Sequence, residues 1–389
     1  MVARVPDLPI APSPKSQDGA PVICYADLPF TQSDPTMPRP LHPVATRAEV
    51  ESVLRCEASR PAPLFLPAIY EHKAWFVGST PSAISRDADL LTRALLAEFE
   101  VIGPDALAVG VDVYNIEAEA VGCTVTYYEG NDPSIPGIKP GHHIVQVGDD
   151  LSQAKVPNPR TDGRMPVNLE AVRRVRREVG DNFWLRGAVS GPFSLATSLV
   201  GAESLFMACM DQPEWVHQLL GYAGRIIRGY AQGYIDAGAE LIVFDSQASP
   251  ELLSPAMFEE FVLPGMQELA AWAATQGVRD VPLVIGGNTT KIAGLLARTG
   301  CNNLLCDFTA DFDHWATVCR GAKKALRRNL SPRFLEKATP DEIHAAAVRE
   351  IVRGRDLPGF MMGTAVIPFG TPTENVLAVK RACRDAGAA

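Results

Sequence analysis

Residues 211–247, DQPEWVHQLLGYAGRIIRGYAQGYIDAGAELIVFDSQ, contain one complete copy of the unit from which this fold is built. The C-terminal part of this stretch is a short run, Leu241–Asp245. It is apolar until its last residue and is typical of a buried parallel strand. A helix followed directly by such a strand predicts one unit of a parallel α/β sheet. The N-terminal part predicts the helix, which starts at an Asp-x-Pro sequence and stops before Gly238. Its apolar residues recur at helical spacing: Val216, Leu219, Leu220, Ala223, Ile226, Ile227 and Tyr230.

Seven further apolar runs alternate with helical patterns along the chain. Eight alternations over about 320 residues favour an α/β fold of the (β/α)8 TIM-barrel type, with a doubly wound open sheet as the alternative. The eight predicted strands are Pro63–Ala68, Ala106–Val113, Phe183–Val189, Leu241–Asp245, Pro282–Gly286, Asn302–Asp307, Lys324–Leu330 and Pro358–Gly363.

The first 60 residues differ from the rest in their proline content. Ten prolines before position 44 remove backbone donors and fix φ too often for regular elements. We predict an irregular proline-rich N-terminal arm over residues 1–60, with a short helix at Ala45–Cys56, and a barrel over residues 61–389. Residues 122–167, between the second and third strands, are predicted to form a β-rich insertion with turns.

The charge balance argues against nucleic acid and anionic membranes as partners. The chain has 36 Lys and Arg against 45 Asp and Glu, a net charge of −9, and no basic block. No apolar stretch approaches the roughly 18 residues of a membrane helix, and the start does not resemble a signal peptide. The eight cysteines follow no paired pattern. We therefore expect a soluble cytoplasmic protein with reduced thiols.

Polar side chains follow nearly every predicted strand. In a TIM barrel the loops after the strands converge on one mouth, where the active site lies. These side chains are the candidate site residues, and the competing explanation is that they cap helices or face solvent. The candidates are His72, Tyr114, Glu117, Glu119, Ser190, Asp245, Gln247, Asn288, Asp307, Asn329 and Thr364.

Three of these carboxylates have a specific chemical interpretation. Asp245 ends an apolar strand, where low-dielectric surroundings raise a carboxyl pKa and suit a general acid or a ligand-orienting group. Its alternative role is to cap the helix that begins near Ser249. Glu117 and Glu119 share one face if their segment is extended and diverge if it is helical. As a pair they would hold a proton or a cation, and otherwise they form salt bridges.

Motifs for several other chemistries are absent from the sequence. There is no G-x-G-x-x-G, no Walker loop and no G-x-S-x-G elbow, so no motif supports nucleotide binding or acyl transfer. Cys301 and Cys306 have no histidine nearby at zinc-site spacing.

Five segments together resemble the uroporphyrinogen decarboxylase superfamily, and within it the corrinoid-dependent methyltransferase branch. The resemblance implies a TIM barrel, often dimeric, with its site at the mouth. In the family order, the segments are VDVYNIEAEAVGC (111–123), GPFSLA (191–196), GAELIVFDSQA (238–248), GNTT (287–290) and GTPTEN (370–375).

Departures from the family pattern bear on the reaction. Porphyrinogen decarboxylases carry an arginine-bearing motif after the first strand, but residues 67–73 here read PAIYEHK, and Glu71 would repel an acidic porphyrinogen. Thiol methyltransferases of the family hold zinc through a His-x-Cys pair and a later Cys, and the matching positions here are Val284, Gly286 and Thr364. Both porphyrinogen decarboxylation and zinc-dependent thiol methylation are therefore disfavoured.

The resemblance implies a methyltransferase that acts as a demethylase. It would move a methyl group from a small methylated donor, such as a methoxylated aromatic, to the cobalt of a corrinoid (cobalamin). A partner protein would carry that corrinoid, since this chain has no D-x-H-x-x-G cobalt-ligating motif. Ether cleavage needs acid assistance. We assign His72, Glu117, Asp245 and Asn288 to catalysis. We assign the other candidates to substrate binding: Tyr114, Glu119, Ser190, Gln247, Asp307, Asn329 and Thr364.

Three alternatives stay open from the sequence. One is a decarboxylase of a small carboxylated substrate, and another is a non-catalytic barrel that binds a corrinoid or tetrapyrrole. The third is an oxygen-rich cation site built from Asp307, Asp245, His72 and the glutamates, which would suit a harder cation than zinc. We expect no zinc and assign no metal ligands. A homodimer is the family expectation.

Overall fold

The computed structural model describes residues 44–57 and 62–387, and its central feature is a TIM barrel of eight parallel strands. Each of the eight predicted runs overlaps one barrel strand, so the predicted architecture is confirmed, although three strands extend past the predicted ends, at Ser190, Glu240 and Val366. The barrel strands are β1 (Leu64–Ala68), β2 (Leu107–Val109), β5 (Leu185–Ser190), β6 (Glu240–Phe244), β7 (Leu283–Val284), β8 (Asn303–Cys306), β9 (Ala325–Leu330) and β10 (Phe360–Val366).

Two four-stranded half-barrels form the closed ring. Their strand orders are β1-β10-β9-β8 and β2-β5-β6-β7, with every neighbouring pair parallel. A bridge between Pro282 and Asn303 joins one edge of each half. At the other seam, the Asp105 N–H donates to Phe65 O (3.0 Å), and the Asp105 carboxylate accepts from Phe65 N (2.7 Å). This closure brings the carboxyl ends of all eight strands to one mouth.

Helices surround the ring, and two of them test predicted boundaries directly. Helix α8 begins at Pro213, ends at Asp236 and is followed by Gly238 at φ +96°, as its sequence pattern predicts. Helix α14 begins with a capping box between Thr339 and Glu342. The helices are α1 (Arg47–Leu54), α2 (Pro81–Ile84), α3 (Ala88–Val101), α4 (Ile116–Ala120), α5 (Met165–Val179), α6 (Pro192–Val200), α7 (Ala202–Asp211), α8 (Pro213–Asp236), α9 (Pro255–Met257), α10 (Leu263–Thr275), α11 (Ala293–Leu296), α12 (Phe312–Ala322), α13 (Pro332–Lys337), α14 (Pro340–Gly354) and α15 (Thr373–Ala386).

Helix α1 covers the end of the barrel opposite the mouth. Its buried side chains Val50, Val53 and Leu54 cluster with inward-facing residues of the first and last barrel strands, including Leu64 and Met361. This helix is the one predicted at Ala45–Cys56 within the arm. The rest of the predicted arm, residues 1–43 and 58–60, lies outside the described residues, and the division into arm and barrel stays a prediction.

The insertion over residues 122–167 has little β structure, which corrects the prediction of a β-rich segment. Its only strands are β3 (Val125–Thr126) and β4 (Gly137–Ile138), which pair antiparallel through two residues each. Prolines at 133, 136 and 140 lack the N–H donor that a longer ladder needs. The Asn115 amide donates to Pro136 O (2.7 Å) and ties this segment to the loop after β2.

Among the described residues, no single helix is both long and apolar enough to cross a membrane. Helices α6 and α7 meet the criteria of length and composition only as a pair bent by 108°.

We predict that Asp105→Ala lowers the free energy of unfolding by roughly 2–4 kcal/mol, measured by urea denaturation. The carboxylate accepts hydrogen bonds from Ala45 N and Phe65 N, both at 2.7 Å, so its loss leaves two backbone donors unpaired at the barrel seam. Asp356→Ala, which removes an exposed carboxylate, is the matched control. Equal stability of the two variants would contradict a role for Asp105 in closing the seam.

Candidate active site

A cavity of about 600 Å³ lies at the carboxyl ends of the barrel strands. Its walls come from the loops after the strands and from the insertion, as expected for a TIM-barrel site. The polar side chains on its walls belong to Tyr70, Glu71, Asp112, Tyr114, Asn115, His143, Ser194, Thr197, Ser198, Ser246, Gln247, Asp307, Arg327 and Asn329.

Four of the predicted binding residues lie on the cavity wall: Tyr114, Gln247, Asp307 and Asn329. The Tyr114 hydroxyl is 2.6 Å from Ser246 Oγ, and its ring packs edge-on against Phe244. The Asp307 carboxylate accepts from Gly287 N (3.0 Å) and from the Asn329 amide (3.4 Å). The structure therefore brings together predicted residues from four different strand ends.

Asp245 and Glu117 lie behind the cavity wall and are fully buried. Asp245 Oδ1 accepts from Ser194 N (2.7 Å) at the start of α6, and burial raises the pKa of Asp245 to about 6. It thus caps α6 rather than the helix after its own strand. The two Glu117 oxygens accept from the N–H (2.7 Å) and Oγ (3.2 Å) of Ser190, and burial raises the pKa of Glu117 to about 7. Both carboxyls hold the backbone that forms the mouth.

The Asp245 contact with α6 depends on a glycine. A Cβ atom at Gly191 would lie 2.2 Å from Asp245 Cγ, so only glycine leaves room for the carboxylate beside the helix start. Gly191 and Asp245 belong to two of the five segments that carry the family resemblance, GPFSLA and GAELIVFDSQA. The contact between these two residues therefore joins those segments in the structure.

His72 and Asn288 lie elsewhere than on the cavity wall. His72 is fully buried, its Nδ1 is 2.9 Å from Phe369 O, and burial lowers its pKa to about 4. Because its carbonyl partner requires Nδ1 to donate, the neutral ring keeps Nε2 as an acceptor. Asn288 is exposed, and its side-chain oxygen accepts from Thr290 N and Oγ1.

The other predicted binding residues make structural contacts near the mouth. Thr364 is buried, and its Oγ1 accepts from Ala68 N (3.0 Å) across the β1–β10 seam. Glu119 accepts from Arg164 Nε and from the Tyr127 hydroxyl, both at 2.5 Å. Glu117 and Glu119 are on helix α4, so they diverge, as the helical alternative predicts.

Glu71 is a cavity residue that sequence reasoning did not assign to the site. It directly precedes His72 in the short helical segment Glu71–Val77 that follows β1. Glu71 lines the cavity, and His72 does not. Its side chain is buried, and Oε2 has no hydrogen-bond partner among the described residues. Burial, the largest effect, raises the pKa of Glu71 to about 7. It is therefore the carboxyl best placed to exchange a proton with a molecule in the cavity.

Arg327 and Tyr70 are further cavity residues that the sequence analysis missed. Strand alternation contained the signal for Arg327, because it stands two positions before Asn329 on the same strand and so shares its face. Tyr70 is two positions past the end of β1, and its ring packs edge-on against Phe244. Burial raises the pKa of Tyr70 to about 12, so its hydroxyl is protonated at neutral pH.

Metal ligands do not converge in this part of the chain. Within residues 44–57 and 62–387, no group of three or more His, Cys, Asp or Glu side chains is arranged to hold a metal ion. The oxygen-rich alternative built from Asp307, Asp245, His72 and the glutamates is therefore not formed there. Val284 and Gly286, the positions that the resemblance matched to zinc ligands, line the cavity. That the reaction needs no zinc stays a prediction.

Residues 47–386 match the family "Uroporphyrinogen decarboxylase (URO-D)", which is most of the chain. The chain belongs to the uroporphyrinogen decarboxylase family. The resemblance inferred from the five segments is thereby confirmed.

Relatives in this family include enzymes of two kinds. Methylcobamide:CoM methyltransferase MtbA from Methanosarcina mazei is 29% identical over 295 residues, which cover 75% of this chain and 82% of that protein. Uroporphyrinogen decarboxylase from Chloroflexus aggregans is 28% identical over 301 residues, 74% and 80% of the two chains. A solved structure of a methyltransferase from Methanosarcina mazei superposes with a TM-score of 0.75 at 25% identity, covering 86% of this chain and 96% of that one.

We predict that Glu71 is half protonated near pH 7 in the folded protein. The wild-type infrared spectrum, minus that of Glu71→Gln, should show a protonated-carboxylic-acid band at pH 5 that vanishes as the pH rises through about 7. A Glu71 band that is already absent at pH 5 would show that the carboxyl has an ordinary pKa.

Proposed function

We propose that the protein is a methyltransferase that takes a methyl group from a small methylated molecule and passes it to a corrinoid carried by a partner protein. Membership of the family, together with relatives named as methylcobamide:CoM methyltransferases, supports methyl transfer involving a corrinoid. The observation that carries the direction of transfer is Glu71, a buried carboxyl on the wall of the mouth cavity whose Oε2 has no hydrogen-bond partner in the described chain. A proton donor suits removal of a methyl group from oxygen.

The cavity suits the small donor rather than the corrinoid. A volume of about 600 Å³ is in the range of small-molecule sites and is too small to bury a corrinoid ring with its side chains. The corrinoid would therefore face the mouth from outside. Ile135 and Val366 are exposed apolar side chains at the cavity edge and offer a contact surface for the protein that carries it. When bound, the reduced corrinoid supplies the nucleophile that accepts the methyl group.

Glu71 would act as the general acid. When the methyl–oxygen bond breaks, the leaving oxygen takes the electron pair, and the protonated carboxyl would donate its proton to give a neutral alcohol or phenol. A pKa near 7 keeps about half of the Glu71 side chains protonated at neutral pH. His72, with its pKa lowered to about 4, is a neutral ring at that pH and would position the turn that carries Glu71 through its bond to Phe369.

Aromatic residues favour a flat donor such as a methoxylated aromatic. The rings of Tyr70 and Tyr114 both meet Phe244 edge-on at the cavity, at centroid distances of 5.3 and 6.2 Å. Such walls accept an aromatic ring between them. Gln247, Asp307 and Asn329 would orient its polar groups. The predicted roles of Glu117 and Asp245 become positioning roles in this proposal, because both hold backbone behind the wall. A cytoplasmic homodimer stays the expectation from sequence.

We expect anaerobic cob(I)alamin, mixed with the protein and a panel of methoxylated aromatics and methylated amines, to convert to methylcobalamin with one donor class, followed by absorbance. Glu71→Gln should lower the rate about 10²–10⁴-fold, the usual contribution of a general acid. Glu374→Gln should leave it unchanged. Decarboxylation of a small carboxylate without cobalamin would instead support the decarboxylase alternative. Corrinoid binding without turnover of any donor would support the non-catalytic barrel.

The proton requirement predicts a pH dependence for the same assay. Because Glu71 must be protonated, kcat/KM should fall as the pH rises through about 7 and approach a tenfold loss per pH unit above it. The residual rate of Glu71→Gln should lack this descending limb. A wild-type profile that is flat from pH 6 to 9 would exclude Glu71 as the acid.

A further inference from the structure

Two arginines project into the barrel interior below the cavity. Arg186 is on β5, two positions after inward-facing Trp184, and Arg327 is on β9, two positions after inward-facing Ala325. Their exposed fractions are 2% and 3%. Arg327 lines the cavity, and Arg186 lies close enough to interact electrostatically with it and with Tyr70. Two positive charges therefore sit at the floor of a site that opens to the mouth.

Neither guanidinium has a salt-bridge partner among the described residues. Arg186 Nε and Nη1 and Arg327 Nε are buried without a hydrogen bond, and neither side chain forms a salt bridge within the described ranges. The other buried arginines among the described residues each form a salt bridge. Arg164 makes a two-pronged contact with Asp112 (2.6 and 2.8 Å), and Arg328 pairs with Glu350 (2.8 Å). Arg186 and Arg327 thus differ from the other buried arginines in having no salt bridge in the described part of the chain.

The nearby acids Glu98 and Asp307 interact electrostatically with Arg186 and Arg327, respectively, but their hydrogen bonds and ion pairs are made with other groups. Glu98 pairs with Lys73 (3.3 Å), and the Asp307 oxygens accept from the backbone N–H groups of Gly287 and Phe308, both at 3.0 Å. Burial lowers the pKa of Arg186 to about 10, which still leaves it charged at neutral pH. A buried, unpaired cation is costly to the folded state, so its retention needs a compensating contact.

A glycine keeps space beside Arg327. A Cβ atom at Gly363 on the neighbouring strand would lie 2.9 Å from Arg327 Cδ and 2.8 Å from Asn329 Oδ1. Any larger residue would push these side chains out of position. Arg327 and Asn329 both line the cavity, and the Asn329 oxygen, an acceptor, is also buried without a partner among the described residues.

We propose that this floor, Arg327 with Arg186 behind it, binds an anionic acid group of the substrate, of the carboxylate class. A guanidinium matches a carboxylate through paired N–H donors, and the desolvated floor strengthens the interaction. The inference deepens the proposed function, on which it rests, by naming the donor as a methylated aromatic acid. Its acid group would be anchored at the floor, and its methyl group would point towards Glu71 and the mouth.

The same geometry argues that the acid group is an anchor and not the bond that breaks. Arginines stabilise a carboxylate in the ground state, whereas loss of CO₂ from it removes the charge to which they bind. The acid group should therefore leave the site unchanged, on the demethylated product.

The test compares ligands that differ in charge, by calorimetry on the full chain. We expect 4-methoxybenzoate to bind at least about 100-fold more tightly than methoxybenzene, the neutral analogue. 4-Methoxybenzenesulfonate distinguishes a planar carboxylate site from one for any acid group. Equal or tighter binding of the neutral compound would overturn the inference, as would release of CO₂ from the bound benzoate.

Arg327→Met separates a ligand-binding role from a structural one. It should lose about 100-fold in 4-methoxybenzoate affinity while the ligand-free variant unfolds at the same or a higher temperature, because an unpaired buried charge has been removed. Arg320→Met, at an exposed position on α12, is the control of equal charge and should change neither. Unchanged affinity in Arg327→Met would refute the assignment. Arg186→Met provides a second variant with the same expected direction.

The two proposals fail in different ways. Binding of the acid without methyl transfer to cob(I)alamin would leave the floor assignment standing and overturn the methyltransferase proposal. Methyl transfer from a neutral donor, with no preference for the acid, would support the methyltransferase proposal and overturn the assignment of the floor.

Discussion

Closure of the parallel strand ring is the constraint on which the rest of this structure depends. Eight strands that run in one direction must place all their carboxyl ends at one mouth. The ring is complete only because the β1–β2 seam, which has no regular ladder, is joined through the backbone and carboxylate of Asp105. Residues separated by hundreds of positions, such as Glu71 and Asn329, share one cavity for this reason.

A closed barrel also has an interior, and this one is unusually charged. Its lowest layer is apolar and packs on α1, but the layer above holds Arg186 and Arg327. The low-dielectric surroundings of this layer disfavour the charged form of every ionisable group near it, which raises the pKa of acids and lowers that of bases. The carboxyl of Glu71 keeps its proton to higher pH, while the arginines, with much higher pKa values, remain charged. One environment thus produces both a proton donor and an anion site.

The sequence predicted much of the fold because its signals were local. The periodicity of α8, the capping box at Thr339 and the apolar runs each report on neighbouring residues, and each of the eight strands overlaps one predicted run. The structure of the insertion was harder to predict from the sequence. Its prolines and glycines favour turns, but they do not indicate which parts of the protein the turns pack against. The candidate site was predicted as a region. Tyr114, Gln247, Asp307 and Asn329 line the cavity, whereas His72 and Asn288 do not.

By itself, the sequence determined the alternation of strands and helices, the barrel and the family, because these depend on patterns that recur within short segments. Only the tertiary structure decided which polar side chain at each strand end faces the cavity. Of the two neighbours Glu71 and His72, the structure places Glu71 on the cavity wall. Because Glu117 and Glu119 are on a helix, their side chains point in different directions. It also decided which buried charges have partners, since Arg164 finds Asp112 across 52 residues and Arg327 finds no salt-bridge partner among the described residues. Such pairings depend on distances between strands and loops that no local pattern encodes.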